Sequence, residues 1–162
     1  AYGIPTIKHE EWKYTSLAFL KKNDFKVATG ADETSITEED VKNLKIPGLE
    51  ENLIVFINGF YSEKYSKIVD NDDKIIIGSL ADALEEKGGE LNEYFGRFDD
   101  YSRNPFAAMN TALAFDGVYV KVPDGKALTV PVHVMHIADS RENAVLSQVR
   151  NLVLGGNESH SR

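Results

Sequence analysis

The histidines of this sequence lie in contexts where metal binding or base catalysis has to be considered. His9 opens a His-Glu-Glu stretch that starts like the zinc motif HExxH, but Lys13 takes the place of the second histidine and excludes a zinc protease. His133 and His136 are three residues apart on a predicted strand, so they point to opposite faces and cannot clamp one metal by themselves. Either could serve as a base, but no serine lies in a nucleophile-like elbow. We interpret both as surface or partly buried strand residues.

Carboxylates occur in clusters that resemble functional motifs only in part. Residues 70–73 read Asp-Asn-Asp-Asp, like the start of a calcium loop, but Lys74 takes the fifth position and no glycine follows at the sixth. The sequence therefore predicts a solvated acidic turn. Adjacent pairs occur at Glu10–Glu11, Glu85–Glu86 and Asp99–Asp100. None has a sequence reason to be buried, and acid–base catalysis relies on burial to tune a carboxylate, so we interpret them as solvated faces.

Two aromatic residues and one amide are candidate ligand contacts. Trp12 and Tyr14 flank a lysine and could stack on a base or a sugar, but their large apolar area on a short helix favours core anchors. Asn110 falls on the same helical face as Phe106, where a buried amide needs a hydrogen-bond partner. A ligand could supply that partner. The interpretation that we prefer is a lock onto the backbone of a neighbouring strand.

The stretch from Asn104 to Gly125 positions several of these residues. Asn104 can cap a helix, and Pro105 suits the first helical position because proline has no N–H to leave unpaired. Apolar residues then recur on one helical face, at Phe106, Met109 and Leu113. Asp116-Gly117 breaks this pattern, and valines at alternate positions of residues 118–122 predict a half-buried strand.

Upstream of this stretch, the sequence predicts short helices and one hairpin. Residues 10–22 and 37–44 are predicted helices, and Thr37 opens the second with a capping-box-like sequence. An apolar run over residues 53–57 leads into Asn58-Gly59 and then into Phe60 and Tyr61. This order is the strongest hairpin signal in the chain.

The centre of the chain mixes strand and helix, whereas only strands are predicted after residue 117. We expect a strand at 74–77, a helix from Ser79 to about Glu86 that Gly88-Gly89 ends, and a short helix over 91–98. The final predicted strands cover residues 128–137 and 144–154. The last of these has no partner after it in the sequence, which suggests the front part of a longer protein.

Composition excludes several classes of protein. The 162 residues carry a formal net charge of −8 and no run of Lys and Arg, which argues against a surface that tracks nucleic acid or anionic lipid. The absence of cysteine removes disulfides, thiolate metal sites and cysteine nucleophiles from this stretch. No apolar run approaches the roughly 20 residues that span a bilayer. A cytoplasmic protein is the simplest interpretation, although the first residue is Ala1 rather than methionine.

Five stretches together resemble the SufD family, the scaffold subunit of the SufBCD complex for iron–sulfur cluster assembly. They are Glu10-Glu11-Trp12-Lys13-Tyr14-Thr15, the run VFINGF over residues 55–60, residues 104–125 with their NPF, NTA and DGVYVKVPDG, Pro131-Val132, and the run RNLVL over residues 150–154. In this order and spacing the motifs are fairly specific, and they cover most of the chain. The SufB family is related, and the chain is less similar to it.

The resemblance implies an α+β fold: an N-terminal helical α/β region, then a right-handed parallel β-helix, with a C-terminal helical region that binds the ATPase SufC. Residues 1–116 would be the N-terminal region, and residues 117–162 the first strands of the β-helix. The family's proposed cluster-assembly residues lie beyond this stretch, so none is carried over. The matched residues are expected to be structural: Trp12, Tyr14, Asn58, Gly59, Asn104, Pro105, Phe106, Asn110 and Gly117.

The functional expectation is a non-enzymatic assembly module that works with SufB-like and SufC-like proteins. This stretch would bind no cofactor, and the full complex would handle the iron–sulfur cluster. Nucleic acid and membrane are not expected partners, and an open solenoid end leaves a homodimer as an alternative. Two other functions remain open. A small-molecule or carbohydrate-binding β-domain would need Tyr61, Tyr65 and Tyr119 on one exposed face, and a hydrolase would need a nucleophile beside one of the strand histidines.

Overall fold

The computed structural model describes residues 3–30, 34–70, 72–95 and 104–160. It combines short α-helices with small β-sheets. The helices are α1 Ala18–Lys22, α2 Glu38–Leu44, α3 Leu80–Leu91 and α4 Pro105–Leu113. The strands are β1 Lys26–Val27, β2 Asn52–Ile57, β3 Phe60–Tyr61, β4 Ile76–Ser79, β5 Val118–Val122, β6 Val132–Ile137, β7 Val145–Leu146 and β8 Leu152–Gly155. Single 3-10 turns occupy Glu10–Trp12, Glu63–Tyr65 and Asn92–Tyr94.

The strands form three small sheets, and none of them closes on itself within the described residues. The first sheet pairs β1 with β7, the second has the order β3-β2-β6, and the third has the order β4-β5-β8. Three pairs are parallel, namely β1 with β7, β2 with β6, and β5 with β8. The β2–β3 hairpin and the β4–β5 pair are antiparallel. Each sheet therefore joins strands that precede Asp116 to strands that follow it.

The last part of the chain stacks on itself with a constant offset. Tyr119 pairs with Leu152 in parallel, and isolated parallel bridges join Asp116 to Val149 and Ala127 to His160. The two residues of each pair are 33 positions apart, the same separation as in the hydrogen bonds between residues 118 and 151 and between 124 and 157. We call residues 116–127 the lower segment and residues 149–160 the upper segment. The upper segment runs beside the lower one in the same direction.

Alternate residues of the strands build separate apolar clusters. One cluster lies between the second and third sheets and contains Ile54, Phe56, Val118, Val120, Val122 and Leu128. A second lies on the other face of β2, beneath α2, and contains Val41, Leu53, Val55, Ile57 and Met135. A third lies beneath α3 and contains Leu80, Ala83, Leu91 and Tyr119. Strand β2 is thus covered on both faces, which explains its continuous apolar run.

Several predicted elements are confirmed. Helix α2 begins with a complete capping box between Thr37 and Asp40. The hairpin turns at Asn58-Gly59, where φ is 52° and 90° respectively. Helix α4 has Asn104 as its cap, and its side-chain oxygen accepts from the amides of residues 106 and 107. The strand predicted over residues 118–122 is β5.

Two helix predictions are correct only in part. The first piece of α3 ends near Glu86, as predicted, because Lys87 is non-helical (φ −131°, ψ 23°). Gly88-Gly89 do not stop the chain from being helical, since a second helical piece contains them and continues to Leu91. The side chain of Leu91 is buried against Tyr119, and this packing outweighs the low helical propensity of glycine. The predicted helix over residues 10–22 is broken into a 3-10 turn and α1. Only residues 91–95 of the short helix predicted over 91–98 lie within the described residues, and Asn92–Tyr94 form a 3-10 turn there.

The strands after β5 are shorter than predicted because the chain changes direction as it passes from one sheet to the next. The strand expected from residue 128 begins at Val132, since Pro131 has no N–H for a sheet ladder and Thr129 instead donates to Asp70. The strand expected over residues 144–154 is two strands, β7 and β8, in different sheets. The domain boundary at residue 116 stays a prediction.

Candidate functional site

The stretch over residues 147–151, which we call the junction segment, lies at the centre of the candidate site. It joins β7 to β8 and carries the chain from one sheet to another. Three residues that the sequence singled out, Gly59, Asn110 and Gly117, lie against it. They come from the β2–β3 hairpin, from α4 and from the start of β5, so the junction segment brings three separate motifs together.

Asn110 fixes the junction segment to α4. Its side-chain amide donates to the Val149 carbonyl oxygen at 2.9 Å and to Gln148 Oε1 at 3.1 Å. Its Oδ1 accepts from Arg150 Nε at 3.1 Å, and a second guanidinium nitrogen of Arg150 donates to Thr111 Oγ1 at 3.0 Å. Asn110 thus bonds to backbone, as the sequence predicted, but the carbonyl oxygen belongs to the junction segment and not to a strand. A fully engaged amide of this kind fixes the position of a helix rather than binding a ligand.

Gly117 is required by the close approach of two backbones. A β-carbon at this position would overlap the carbonyl oxygen of Arg150. Gly59 has the related requirement of a positive φ, and a β-carbon there would lie 3.3 Å from the Gln148 carbonyl oxygen. Glycine in both motifs therefore lets the junction segment pack directly against neighbouring main chain.

Asp116 is a buried carboxylate that the sequence showed only as part of a turn. Its Oδ1 accepts from Ser79 Oγ at 2.9 Å and from the amides of Ala81 and Gly117 at 3.1 and 2.7 Å. Its Oδ2 accepts from the Tyr61 amide at 2.9 Å. One side chain thus ties the hairpin to the start of α3 and to β5. No local signal could have revealed this role, because three of the four donors, at Tyr61, Ser79 and Ala81, are distant in sequence from Asp116.

The hairpin turn presents one aromatic pair beside the junction segment. Phe60 stacks on Phe115 with ring centroids 5.8 Å apart and an angle of 13° between the rings. Phe115 is exposed, whereas Phe60 is partly buried. Asn58, the other turn residue, is buried and accepts from the Asp139 amide at 2.8 Å. The turn therefore joins β3 to the loop that follows β6.

Asp139 ties that loop to the residues before α2. Its carboxylate accepts from Arg141 Nε at 2.8 Å, from Thr34 Oγ1 at 2.8 Å, and from the backbone amide of Ser35 at 2.7 Å. The hydrogen bond from Arg141, supported by those from Ser35 and Thr34, holds the pKa of Asp139 far below its ordinary value. We conclude that this carboxylate is charged and structural.

The N-terminal residues, which we call the arm and define as residues 3–22, contact α4 through one ring pair. Trp12 packs on Phe106 with ring centroids 5.3 Å apart. Trp12 is partly buried, as an anchor would be, but the core-anchor interpretation is wrong for Tyr14, whose side chain is 93% exposed. Tyr14 lies in the turn that interrupts the predicted helix, so it leaves the face that Trp12 occupies.

His133 belongs to a buried polar cluster that sequence reasoning missed. Its Nδ1 lies 2.7 Å from Glu51 Oε2, and Lys45 Nζ lies 3.5 Å from Glu51 Oε1. The side chain of Glu51 is only 3% exposed, and its Oε1 has no hydrogen-bond partner among the described residues. His136 instead packs against the Phe56 ring, and burial lowers the pKa of its imidazole. In the described parts of the chain, neither histidine has a hydroxyl group as a hydrogen-bond partner.

Side chains of the acidic turn near residue 70 accept more hydrogen bonds from the protein than those of a solvated turn would. Asp70 accepts from Asn52 Nδ2 at 2.6 Å and from Thr129, and Asp72 accepts from Lys126 Nζ at 2.6 Å. Burial opposes the charge of Asp70, yet the hydrogen bonds from Thr129 and Asn52 leave its pKa below the ordinary value. The expectation of a solvated turn is therefore wrong for these two side chains. Glu10, Glu11, Glu85 and Glu86 are exposed as expected, and Asp99–Asp100 lie outside the described residues.

The described surface has several cavities, with volumes of about 430, 790 and 520 Å³. A cavity of about 430 Å³ lies between β1 and the loop after β6, but polar groups there bond to one another, as when Lys26 Nζ donates to Asn143 Oδ1 at 3.0 Å. In the described ranges, no three histidine, aspartate or glutamate side chains are grouped so that they could hold a metal ion. Among the same residues, no helix has the length and apolarity to cross a membrane.

Comparison with known proteins gives a consistent result. Residues 1–134 match the family model of the SufBD protein N-terminal region. An iron–sulfur cluster assembly SufBD family protein of Synechocystis sp. is 29% identical over 156 residues, covering 96% of this chain and 34% of the relative. The iron–sulfur cluster assembly protein SufD of Escherichia coli (strain K12) is 28% identical over 138 residues, covering 83% of this chain and 28% of the relative. The chain thus spans about a third of the length of these curated relatives.

Proposed function

This chain belongs to the SufBD protein family, whose N-terminal region it matches, and we propose that it is the N-terminal part of a SufD-like scaffold subunit in iron–sulfur cluster assembly. The match of residues 1–134 to the family model carries this proposal. The resemblance to SufD that five sequence motifs indicated is confirmed by the same match and by the two relatives.

In the proposed function, the full-length subunit works with SufB-like and SufC-like proteins in the cytoplasm. ATP hydrolysis belongs to the SufC-like partner, and this stretch performs no catalysis and binds no cofactor. The iron–sulfur cluster is the cargo of the complex. Its ligands would come from elsewhere, since these 162 residues contain no cysteine to supply a thiolate.

We also propose that β5, β6 and β7 form the first coil of a parallel β-helix, and that β8 opens the second. The constant offset of 33 residues between the lower and upper segments supports this, because a solenoid repeats with a fixed number of residues per coil. The three strands of the first coil also lie in three different sheets, as the three sides of one coil would.

The N-terminal strands would then cap the first coil. Strands β4, β2 and β1 pair with β5, β6 and β7 respectively, so each side of the coil is covered on its N-terminal edge. An uncapped solenoid end exposes unpaired backbone groups and invites edge-to-edge association. The role proposed for the N-terminal region itself is therefore to close this end of the scaffold.

The competing functions find less support. Tyr61, Tyr65 and Tyr119 do not form a row for sugar stacking: Tyr119 is 1% exposed, and the Tyr65 hydroxyl donates to the Ile36 carbonyl oxygen. The hydrolase alternative needs a nucleophile beside His133 or His136. Among the described residues, His133 bonds to Glu51 and His136 packs on Phe56, and neither of these partners is a hydroxyl nucleophile.

Native mass spectrometry of the full-length protein tests the scaffold proposal. The protein is mixed with the SufB-like and SufC-like proteins of its own source organism. We expect a defined complex that contains all three chains. If the other two associate while this protein stays alone, the proposed function is overturned.

A deletion tests the capping role. The full-length protein without residues 1–116 should self-associate through its uncovered strand edges, measured by light scattering. A variant without residues 1–9 is the matched control and should keep the oligomeric state of the parent, since the described part of this stretch, residues 3–9, lies outside the sheets. An unchanged oligomeric state in both variants would contradict capping.

A further inference from the structure

The contacts of helix α4 follow the order in which the lower and upper segments stack. Its C-terminal end leads through Ala114 and Phe115 to Asp116, which lies in the lower segment. One helical turn earlier, Asn110 hydrogen-bonds Val149 and Arg150 of the upper segment. The helix therefore passes the lower segment first and the upper segment second when it is followed from its C-terminal end to its N-terminal end.

Phe106 lies one further turn along the same face, four residues before Asn110. Four residues advance an α-helix by about 6 Å, and neighbouring strands are about 4.8 Å apart. A helix axis along the stacking direction would place the Phe106 ring roughly one strand spacing beyond the upper segment, at the level of a third stacked segment.

The arm extends this surface. Trp12 packs on Phe106, and a cleft of about 520 Å³ opens between Trp12, Pro5 and Pro105. Nearby large apolar residues of the arm are solvent-exposed, namely Ile4, Ile7 and Phe19. In the described residues, the Trp12–Phe106 pair is the only ring contact of the arm with the rest of the fold.

We propose that Phe106, Trp12 and the cleft beside them form a docking surface for the third coil of the same protein, at the corner about 33 residues after the junction segment. A side chain at that corner would enter the cleft, whose lining combines Trp12 and the two prolines with His9, Glu10 and Glu11. This inference rests on the β-helix put forward under the proposed function.

Two observations favour this occupant over a second copy or a partner chain. Asn110 already shows the same relationship one level below, where α4 holds the corner of the upper segment through Val149. The curated relatives are about three times as long as this chain, so they contain residues for further coils. The helix would then be a brace that fixes successive corners, with a polar contact to the second coil and an apolar contact to the third.

Photo-cross-linking in the full-length protein tests the brace. The photoreactive amino acid p-benzoylphenylalanine replaces Phe106 in one variant and Phe115 in a matched control, since Phe115 is an exposed aromatic residue at the level of the lower segment. A third variant carries the probe at Asn157, an exposed corner of the upper segment, and reports coil stacking independently of α4. Mixing isotopically labelled and unlabelled protein separates links within one chain from links between chains.

The expected result is a gain of an intramolecular link from residue 106 to the corner about 33 residues beyond residues 148–150, and its absence from the residue 115 variant. The Asn157 probe should link to the chain about 33 residues further on. If the Asn157 probe gives that link while the residue 106 probe links only to a second copy, to a partner or to nothing, the brace is overturned and the β-helix stands. If neither probe reaches the later chain, the β-helix of the proposed function fails together with the brace.

Discussion

The backbone of Arg150 lies so close to Gly117 that a methyl group on residue 117 would overlap the Arg150 carbonyl oxygen. The two residues are adjacent in space because the upper segment returns to the lower one at this corner, where Asp116 also bridges to Val149. The stacking of the two segments therefore depends on the absence of a side chain at residue 117.

We expect Gly117→Ala to destabilise the protein by about 3 kcal/mol or more, because neither backbone can yield without breaking the Asp116 and Asn110 contacts. Thermal or urea unfolding of the full-length protein measures this loss. Gly78→Ala is the control, since Gly78 lies in β4, which pairs with β5, and has open space where the methyl group would be, so this substitution should change stability little. Equal effects of the two substitutions would refute the close approach.

Asn110→Ala should weaken the attachment of α4 to the junction segment. The substitution removes the donor to the Val149 carbonyl oxygen and the acceptor for Arg150. We expect a loss of about 1–2 kcal/mol in the free energy of unfolding. Asn43→Ala in α2 is the control, because Asn43 is exposed and alanine favours a helix. A wild-type stability for Asn110→Ala would mean that the lock contributes nothing measurable.

Short-range elements of this fold could be predicted because their determinants lie within a few residues. The capping box joins Thr37 to Asp40, and the hairpin needs only that Asn58 and Gly59 accept positive φ. Asn110 could be predicted as a backbone lock because its helical face is readable from the spacing of apolar residues. The sequence could not show which backbone group Asn110 would contact, since Val149 lies 39 residues away.

The buried carboxylates and the strand ends could not be predicted because they depend on pairing between residues that are distant in sequence. Asp116 accepts from Tyr61, 55 residues earlier, and Glu51 contacts His133, 82 residues later. Both carboxylates look ordinary in their own surroundings, and the fold alone makes them buried. The same reason explains the errors in strand length near Pro131 and residues 147–151, where the chain turns from one sheet to the next.

Asp139 should make the stability of the protein depend on pH in acid. Hydrogen bonds from Arg141, Ser35 and Thr34 hold its pKa in the folded state below the ordinary 3.8. A carboxylate with a lowered pKa stabilises the fold fully above the pKa of the unfolded chain, and that contribution is lost as the pH falls below 3.8 toward the folded-state pKa. Asp139→Asn should therefore be less stable than the wild type at neutral pH, and the difference should shrink in acid.

Urea unfolding at a series of pH values from neutral to acid measures this dependence. Glu86→Gln is the control, because Glu86 is an exposed carboxylate on α3. Its difference from the wild type should be small at every pH. A constant difference between Asp139→Asn and the wild type over the whole acid range would show that the charge of Asp139 does not contribute.

Removing one member of the Glu51–His133 pair should destabilise the protein, whereas replacing both with apolar residues should change its stability little. In His133→Ala the buried Glu51 carboxylate loses its partner at 2.7 Å and, among the described residues, keeps only Lys45, whose side chain is 40% exposed. We expect a loss of about 3 kcal/mol, because a buried carboxylate without its partner bears the cost of desolvation. The double variant Glu51→Leu with His133→Leu removes both polar groups and should lie within about 1 kcal/mol of the wild type. Urea unfolding of the two variants compares these values. A double variant that is less stable than His133→Ala would show that the pair itself, and not the orphaned carboxylate, determines the energetics of this position.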